Sequence, residues 1–197
     1  MLIIEFISMI INILLFAVIP FFWYLVKRKR VRGFLKYLGV YRPGQINLFE
    51  ITTIIVPVYL IVLTANLLVI ALGYSGRSFN TDNYTVLTLF LSLLFYGMKT
   101  GIAEEIFFRG FIAKKVIDKL GYSKGNLIQA VIFGMLHFVI QGSASRIDII
   151  VRIIGASLLG YTFGYVMDKK SNGSIIPVMV AHILINMLSS YIMLTII

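Results

Sequence analysis

Apolar positions run from Met1 to Val26 (MLIIEFISMIINILLFAVIPFFWYLV) with Glu5 as the one charge among them, and a basic cluster follows at once: Lys27, Arg28, Lys29, Arg30 and Arg32. A run of that length with so few charges predicts a membrane-spanning helix. Its positive charges come after the apolar stretch, the reverse of a secretory signal peptide, so the segment reads as a retained span with its N-terminus outside. Trp23 and Tyr24 fall where an interfacial aromatic belt is expected. Residues 33–47 (GFLKYLGVYRPGQIN) read as an interfacial segment leading to a second span over about 48–72, with Pro57 as its expected kink.

The polar stretch Gly73 to Asn83 lacks a basic cluster and is expected outside. The next apolar run, Tyr84 to Phe111, covers 28 residues. That exceeds the roughly 20 residues a perpendicular crossing needs, so a tilted or broken helix is predicted, with Gly97, Gly101 and Gly110 as bend or packing positions. Lys99 lies in this run as a candidate partner or anchor. A short fourth span is expected at Asn126–Ile140, a polar turn at Gln141–Arg146, and a fifth span at Ile147–Met167. In the fifth, Ala156, Gly160 and Gly164 form a small-residue stripe for close helix approach, and Asp148 and Arg152 are spaced to pair. The loop Asp168–Gly173 then leads to a last span from Ser174 to about Ile196, with Pro177 near its start.

Composition agrees with this pattern. The chain has 197 residues and is 59% hydrophobic, with a mean hydropathy of +0.95, against about 45–50% apolar in soluble domains. The reading is all-α: a polytopic membrane helix bundle of about six transmembrane helices, forming a single compact membrane domain. Residues 1–90 supply N-terminal helices without a chemical motif, and residues 91–190 supply the core that carries one. With no cysteine, the sequence excludes disulfides, thiolate nucleophiles and Cys-ligated metal sites.

The formal charge of +10 does not require nucleic acid. Thirteen of the eighteen Lys and Arg residues fall on one set of alternate loops: Lys27 to Arg30, Arg32, Lys36 and Arg42; Lys114, Lys115, Lys119 and Lys124; Lys169 and Lys170. The positive-inside rule makes those loops cytoplasmic, with both termini outside, and anionic lipid headgroups become their natural contacts. A multi-pass protein of the cell membrane, in a bacterial plasma membrane, is expected. No sequence feature points to an oligomeric state.

Chemistry concentrates in Gly101-Ile102-Ala103-Glu104-Glu105-Ile106-Phe107-Phe108-Arg109-Gly110. An ionisable side chain inside a span costs about 2.5–3.5 kcal/mol on insertion scales, so it normally faces a cavity, a partner or a substrate. Glu105 and Arg109 share a helix face, which leaves Glu104 about 100° away for something else. A plain buried ion pair with a spare acid reaching toward water is the structural alternative. The two histidines of the chain, His137 and His182, also lie in spans, and His182 shares a face with Asn186. Counting about 1.5 Å per residue from each span's cytoplasmic end puts Glu104, His137 and His182 roughly 12–16 Å deep. All three therefore reach a similar level in a core about 30 Å thick.

Taken in order on successive spans, Glu104-Glu105-x-x-x-Arg109, Phe133-x-x-x-His137 and His182-x-x-x-Asn186 resemble the three motifs of the CPBP intramembrane proteases. That family includes the type II CAAX prenyl endopeptidases, the Abi proteins of bacteriocin processing and self-immunity, and lysostaphin resistance protein A-like proteins. The resemblance covers about Gly97 to Leu188. It implies an intramembrane endopeptidase acting on a peptide or membrane-protein substrate. Glu104 would be the general base, His137 would hold and polarise the water, and His182 with Asn186 would donate to the oxyanion. Glu105 and Arg109 would support this set. No metal or other cofactor is required in that scheme. A zinc alternative stays open, because two histidines and a glutamate form a catalytic ligand set, although the His-Glu-x-x-His helix is absent. A non-catalytic immunity or scaffold protein of the same fold is the alternative from another class. A transporter or proton relay is less favoured, since no inverted repeat is visible.

Overall fold

The computed structural model describes residues 2–74, 84–140 and 145–196. Most of the expected outer connection at Gly73–Asn83, and the turn at Gln141–Arg146 up to residue 144, lie outside the described residues. All regular structure among the described residues is helical: α1 (Leu2–Arg28), α2 (Phe34–Leu38), α3 (Leu48–Ala71), α4 (Val86–Glu104), a π-helical segment (Glu105–Ala113), α5 (Lys114–Leu120), α6 (Tyr122–Ile140), α7 (Arg146–Tyr165), a second π-helical segment (Val166–Lys170) and α8 (Ile176–Ile196).

Five of the described helices are long and apolar enough to cross a membrane: Leu2–Arg28, Leu48–Ala71, Val86–Leu120, Arg146–Lys170 and Ile176–Thr195. The protein is a polytopic helical membrane protein. The expected fourth span lies within α6, whose 19 residues include Lys124, Asn126 and Gln129 and which is not among the five. The long third run is broken, as its length predicts. Its 35 residues pass from α4 through the π-helical segment into α5.

The helices fall into two compact units interleaved in sequence. The first takes Met1–Pro43, Ser78–Phe111 and Ser174–Ile197; the second takes Gly44–Arg77 and Ile112–Gly173.

In the first unit α4 packs on α1 and α8. Its start is fixed by a capping box: Thr88 N–H donates to Thr85 Oγ1 at 3.2 Å, and Thr85 N–H donates to Thr88 Oγ1 at 2.8 Å. Phe6 stacks edge-on against Phe95, Phe16 against Phe107 and Trp23 against Phe111. Residue numbers rise together along that seam, so α1 and α4 run parallel. On the other side Gly97 meets Met187 and Gly101 meets Ile183, so α8 runs antiparallel to α4. These are the relative directions expected of a first, third and sixth span. The outer face of α1, including Ile3, Leu14, Leu15, Phe22 and Val26, stays exposed, as a lipid-facing surface requires.

After α1, Gly33 (φ 92°) and Gly39 (φ 89°) bracket α2 in backbone conformations that other residues rarely adopt. Tyr24, expected in the interfacial belt, is instead buried and donates its hydroxyl to Arg32 O at 2.7 Å, closing this elbow. The elbow then docks on the π-helical segment and on the residues leading into α8. Leu38 is fully buried beside Gly110, where an added Cβ would lie 2.8 Å from Leu38 O. Ile175 N–H donates to Gly39 O at 3.0 Å, and Ser174 Oγ donates to Tyr41 O at 2.7 Å. These bonds hold the chain just before α8.

In the second unit α6 and α7 pack antiparallel. Asn126 Nδ2 donates to Tyr161 O at 3.0 Å and Gln129 Nε2 to Gly160 O at 2.8 Å. The small-residue stripe makes room for these amides, with Gly160 against Ala130 and Phe133, and Gly164 against Asn126. The expected Asp148–Arg152 pair forms at 2.6 Å in the first turns of α7, where Ser145 Oγ caps the helix by accepting from Asp148 N–H. Lys170 pairs with Glu50.

Candidate functional site

The first unit gathers Glu104, Glu105, Arg109, His182 and Asn186. Glu104 closes α4 and Glu105 opens the π-helical segment. Such wider-turned segments are rare and concentrate at functional sites. Glu105 Oε1 forms an ion pair with Arg109 Nη1 at 3.1 Å, and neither side chain has any exposed surface. The same oxygen lies 2.8 Å from His182 Nδ1. The pair's further contact is thus His182 on α8, a link between helices that spacing within one helix does not reveal.

That bond sets the chemistry of the imidazole. An ionised carboxylate only accepts, so Nδ1 carries a proton and Nε2 is the reactive nitrogen. Nε2 lies 3.8 Å from Glu104 Oε2, at ion-pair rather than hydrogen-bond distance. Two carboxylates and one guanidinium sum to a charge of −1, so a proton on Nε2 as well would neutralise the group. The two neighbouring acids therefore live in opposite settings. Glu105 is wholly buried and tied on two sides, whereas the Glu104 side chain keeps 18% of its surface accessible.

One turn along α8 from His182, Asn186 Nδ2 donates to Thr100 Oγ1 at 2.7 Å. Thr100 was not among the sequence candidates. Its position between Gly97 and Gly101, a small-x-x-x-small pair on the helix that carries the acids, was the available signal. Lys99 does not serve Glu104 here: Nζ donates to Ser8 Oγ at 2.8 Å, and Asn12 Nδ2 donates to Lys99 O at 3.0 Å, both on α1.

His137 belongs to the second unit, on α6. Its Nδ1 is 3.0 Å from Phe133 O, and its ring stands edge-on to Phe133 with centroids 5.1 Å apart. A carbonyl cannot donate, so Nδ1 holds the proton and Nε2 presents a lone pair. That is the tautomer able to accept from a water. The two fixed members of the second motif, Phe133 and His137, are thereby in contact with each other.

Among the described residues no three His, Asp or Glu side chains form a metal-holding group. Glu105, the acid nearest His182, is already tied to Arg109.

A family model, type II CAAX prenyl endopeptidase Rce1-like, matches residues 85–188, just over half of the chain and all three motifs. The chain belongs to this family. No curated protein and no solved structure matches it. Membership in the Rce1-like family makes the protein a member of a protease family, and its apolar helices make it a membrane protein. The matched stretch begins at Thr85, the cap of α4, and ends on α8 beyond Asn186.

Proposed function

We propose that this Rce1-like protein is an intramembrane endopeptidase that hydrolyses a peptide or membrane-protein substrate with a water activated by Glu104. The observation that carries the reading is the split between the two adjacent acids. Hydrolysis needs one carboxylate free to take a proton and a set of donors held in place for the oxyanion. Glu104 is accessible and lies near a single imidazole nitrogen. Glu105 is spent on holding that imidazole, with Arg109 balancing its charge. A purely structural ion pair has no use for the second acid, whose burial in a span is costly.

In this mechanism Glu104 takes the proton of the attacking water and later returns it to the leaving amine. With Nε2 protonated as well as Nδ1, His182 donates to the oxyanion beside the Asn186 amide. Glu105 and Arg109 keep His182 oriented. His137 is assigned to water binding on the motif resemblance alone. No metal enters the scheme. The substrate class favoured is a leader or signalling peptide or a membrane regulator, in processing or self-immunity, ahead of a prenylated tail.

The test compares wild type with Glu104→Ala and His182→Ala, at equal membrane abundance, in cells lacking the native gene. Peptide products are read by mass spectrometry. The purified protein is then presented with a panel of fluorogenic peptides, some prenylated at a C-terminal cysteine motif and some unmodified and hydrophobic. Loss of a defined product in both variants is expected. Unchanged products in Glu104→Ala would sink the reading and favour a binding or immunity role for the same fold.

A further inference from the structure

From the contact between α4 and α8 we infer that Thr100 is a positioning residue for catalysis, and that its hydroxyl fixes which end of the Asn186 amide is presented for reaction. The inference rests on the protease reading of this site. The two ends of an asparagine side chain are nearly the same size but opposite in chemistry: NH₂ donates and C=O accepts. An oxyanion needs the donor, and an amide turned by 180° would present an oxygen and repel it. Something must therefore decide the orientation.

Thr100 supplies that decision. A hydroxyl has one proton, and Thr100 Oγ1 directs it into its own helix, 3.0 Å from Tyr96 O and 3.4 Å from Gly97 O. With its proton committed, the oxygen can only accept from Asn186. The atom it faces at 2.7 Å must be the amide nitrogen. One N–H of Asn186 is consumed by Thr100, and the second N–H on the same nitrogen is left to donate. Flipping the amide would set carbonyl oxygen against hydroxyl oxygen with no proton between them, unless the hydroxyl first gave up its backbone bond.

The flanking glycines explain why the distance is short. A Cβ at Gly97 would lie 2.8 Å from Ile183 O, and one at Gly101 would lie 2.8 Å from Ile183 Cγ1 and 3.0 Å from Ile183 N. Neither position admits a side chain without moving α8. The glycines bring the two helices together, and Thr100 is the polar group placed between them at the level of Asn186. His182, one turn away, is oriented separately by Glu105. The two proposed oxyanion donors thus have one orienting partner each, both on the chain from α4 into the π-helical segment.

The experiment is a double-mutant cycle on the purified full-length chain, using the fastest-cleaved peptide of the panel above. Thr100→Val removes the acceptor at nearly constant shape, Thr100→Ser restores it, and Asn186→Ala removes the donor. Loss of one oxyanion donor typically lowers kcat about 10²–10³-fold. Asn186→Ala is expected in that range with KM little changed. Thr100→Val is expected to lower kcat by about tenfold or more, again with KM little changed, and Thr100→Ser to recover most of it. In the Asn186→Ala background, Thr100→Val is expected to have no further effect on kcat. Helix-packing damage would lower kcat in both backgrounds and would not be repaired by Thr100→Ser. If Asn186→Ala loses activity while Thr100→Val keeps it, the role of Thr100 is overturned and the protease reading stands. If Asn186→Ala cleaves at the wild-type rate, the oxyanion role of this face is overturned, and Thr100 with it.

Discussion

Replacing Glu105 by leucine removes one oxygen that serves two helices. Its Oε1 is ion-paired with Arg109 at 3.1 Å and accepts from His182 Nδ1 at 2.8 Å, with both Glu105 and Arg109 fully buried. Breaking a buried pair by removing one partner costs about 3–5 kcal/mol, largely because the other charge is left uncompensated. Replacing both members with apolar residues is often close to neutral. Here a third group remains, since His182 Nδ1 would still lack its acceptor, and an orphaned buried donor costs about 1–3 kcal/mol. The expected losses are therefore about 3–5 kcal/mol for Glu105→Leu and about 1–3 kcal/mol for Glu105→Leu with Arg109→Leu. The double variant is predicted to be more stable than the single one. Reversible unfolding in mixed micelles, fitted for wild type, both single variants and the double, gives the coupling directly. A coupling below about 0.5 kcal/mol would mean that Glu105 and Arg109 do not depend on each other, and the account of the site built on them would fail.

Three further predictions follow from the same geometry. Gly164→Ala places a Cβ 1.9 Å from Asn126 Oδ1 and 2.7 Å from Gln129 Nε2; a loss of about 1–3 kcal/mol is expected by the same unfolding assay, and wild-type stability would show that the amide pair does not fill that gap. Gly110→Ala drives a Cβ to 2.8 Å from Leu38 O, so the elbow at residues 33–43 should loosen and limited trypsin digestion at its exposed Lys36 and Arg42 should speed up, whereas an unchanged digest would show that the elbow does not rest on Gly110. Exhaustive chelation should leave peptide cleavage undiminished, with no stoichiometric metal by elemental analysis; loss of activity restored by zinc would replace the metal-free route.

The helical membrane fold was legible because it rests on two robust signals, the length of each apolar run and the basic residues that end it. Excess length predicted the break after α4, and the spacing of Asp148 and Arg152 and of Glu105 and Arg109 predicted both ion pairs. What spacing cannot reach is contact between helices. Nothing in the local sequence of Glu105 names His182 as its partner, because 77 residues separate them. Thr100 was passed over for a similar reason, since a threonine in a span normally satisfies itself on its own helix, as this one also does. The burial of Tyr24 was not legible either, because it depends on the turn at Gly33 folding the chain back over it.

The order of the motif acids carries a physical consequence. Had the buried pair used the first glutamate, its partner four residues on would be Phe108, which is itself buried. The second acid is the one ion-paired with the arginine four residues on, at 3.1 Å. That leaves Glu104 uncommitted at the point where α4 gives way to the π-helical segment, with His182 Nε2 3.8 Å away. A fully paired site would be more stable and inert, and an unpaired one would be too costly to keep in the membrane. Pairing one acid of two anchors the helix and leaves the other available for proton transfer.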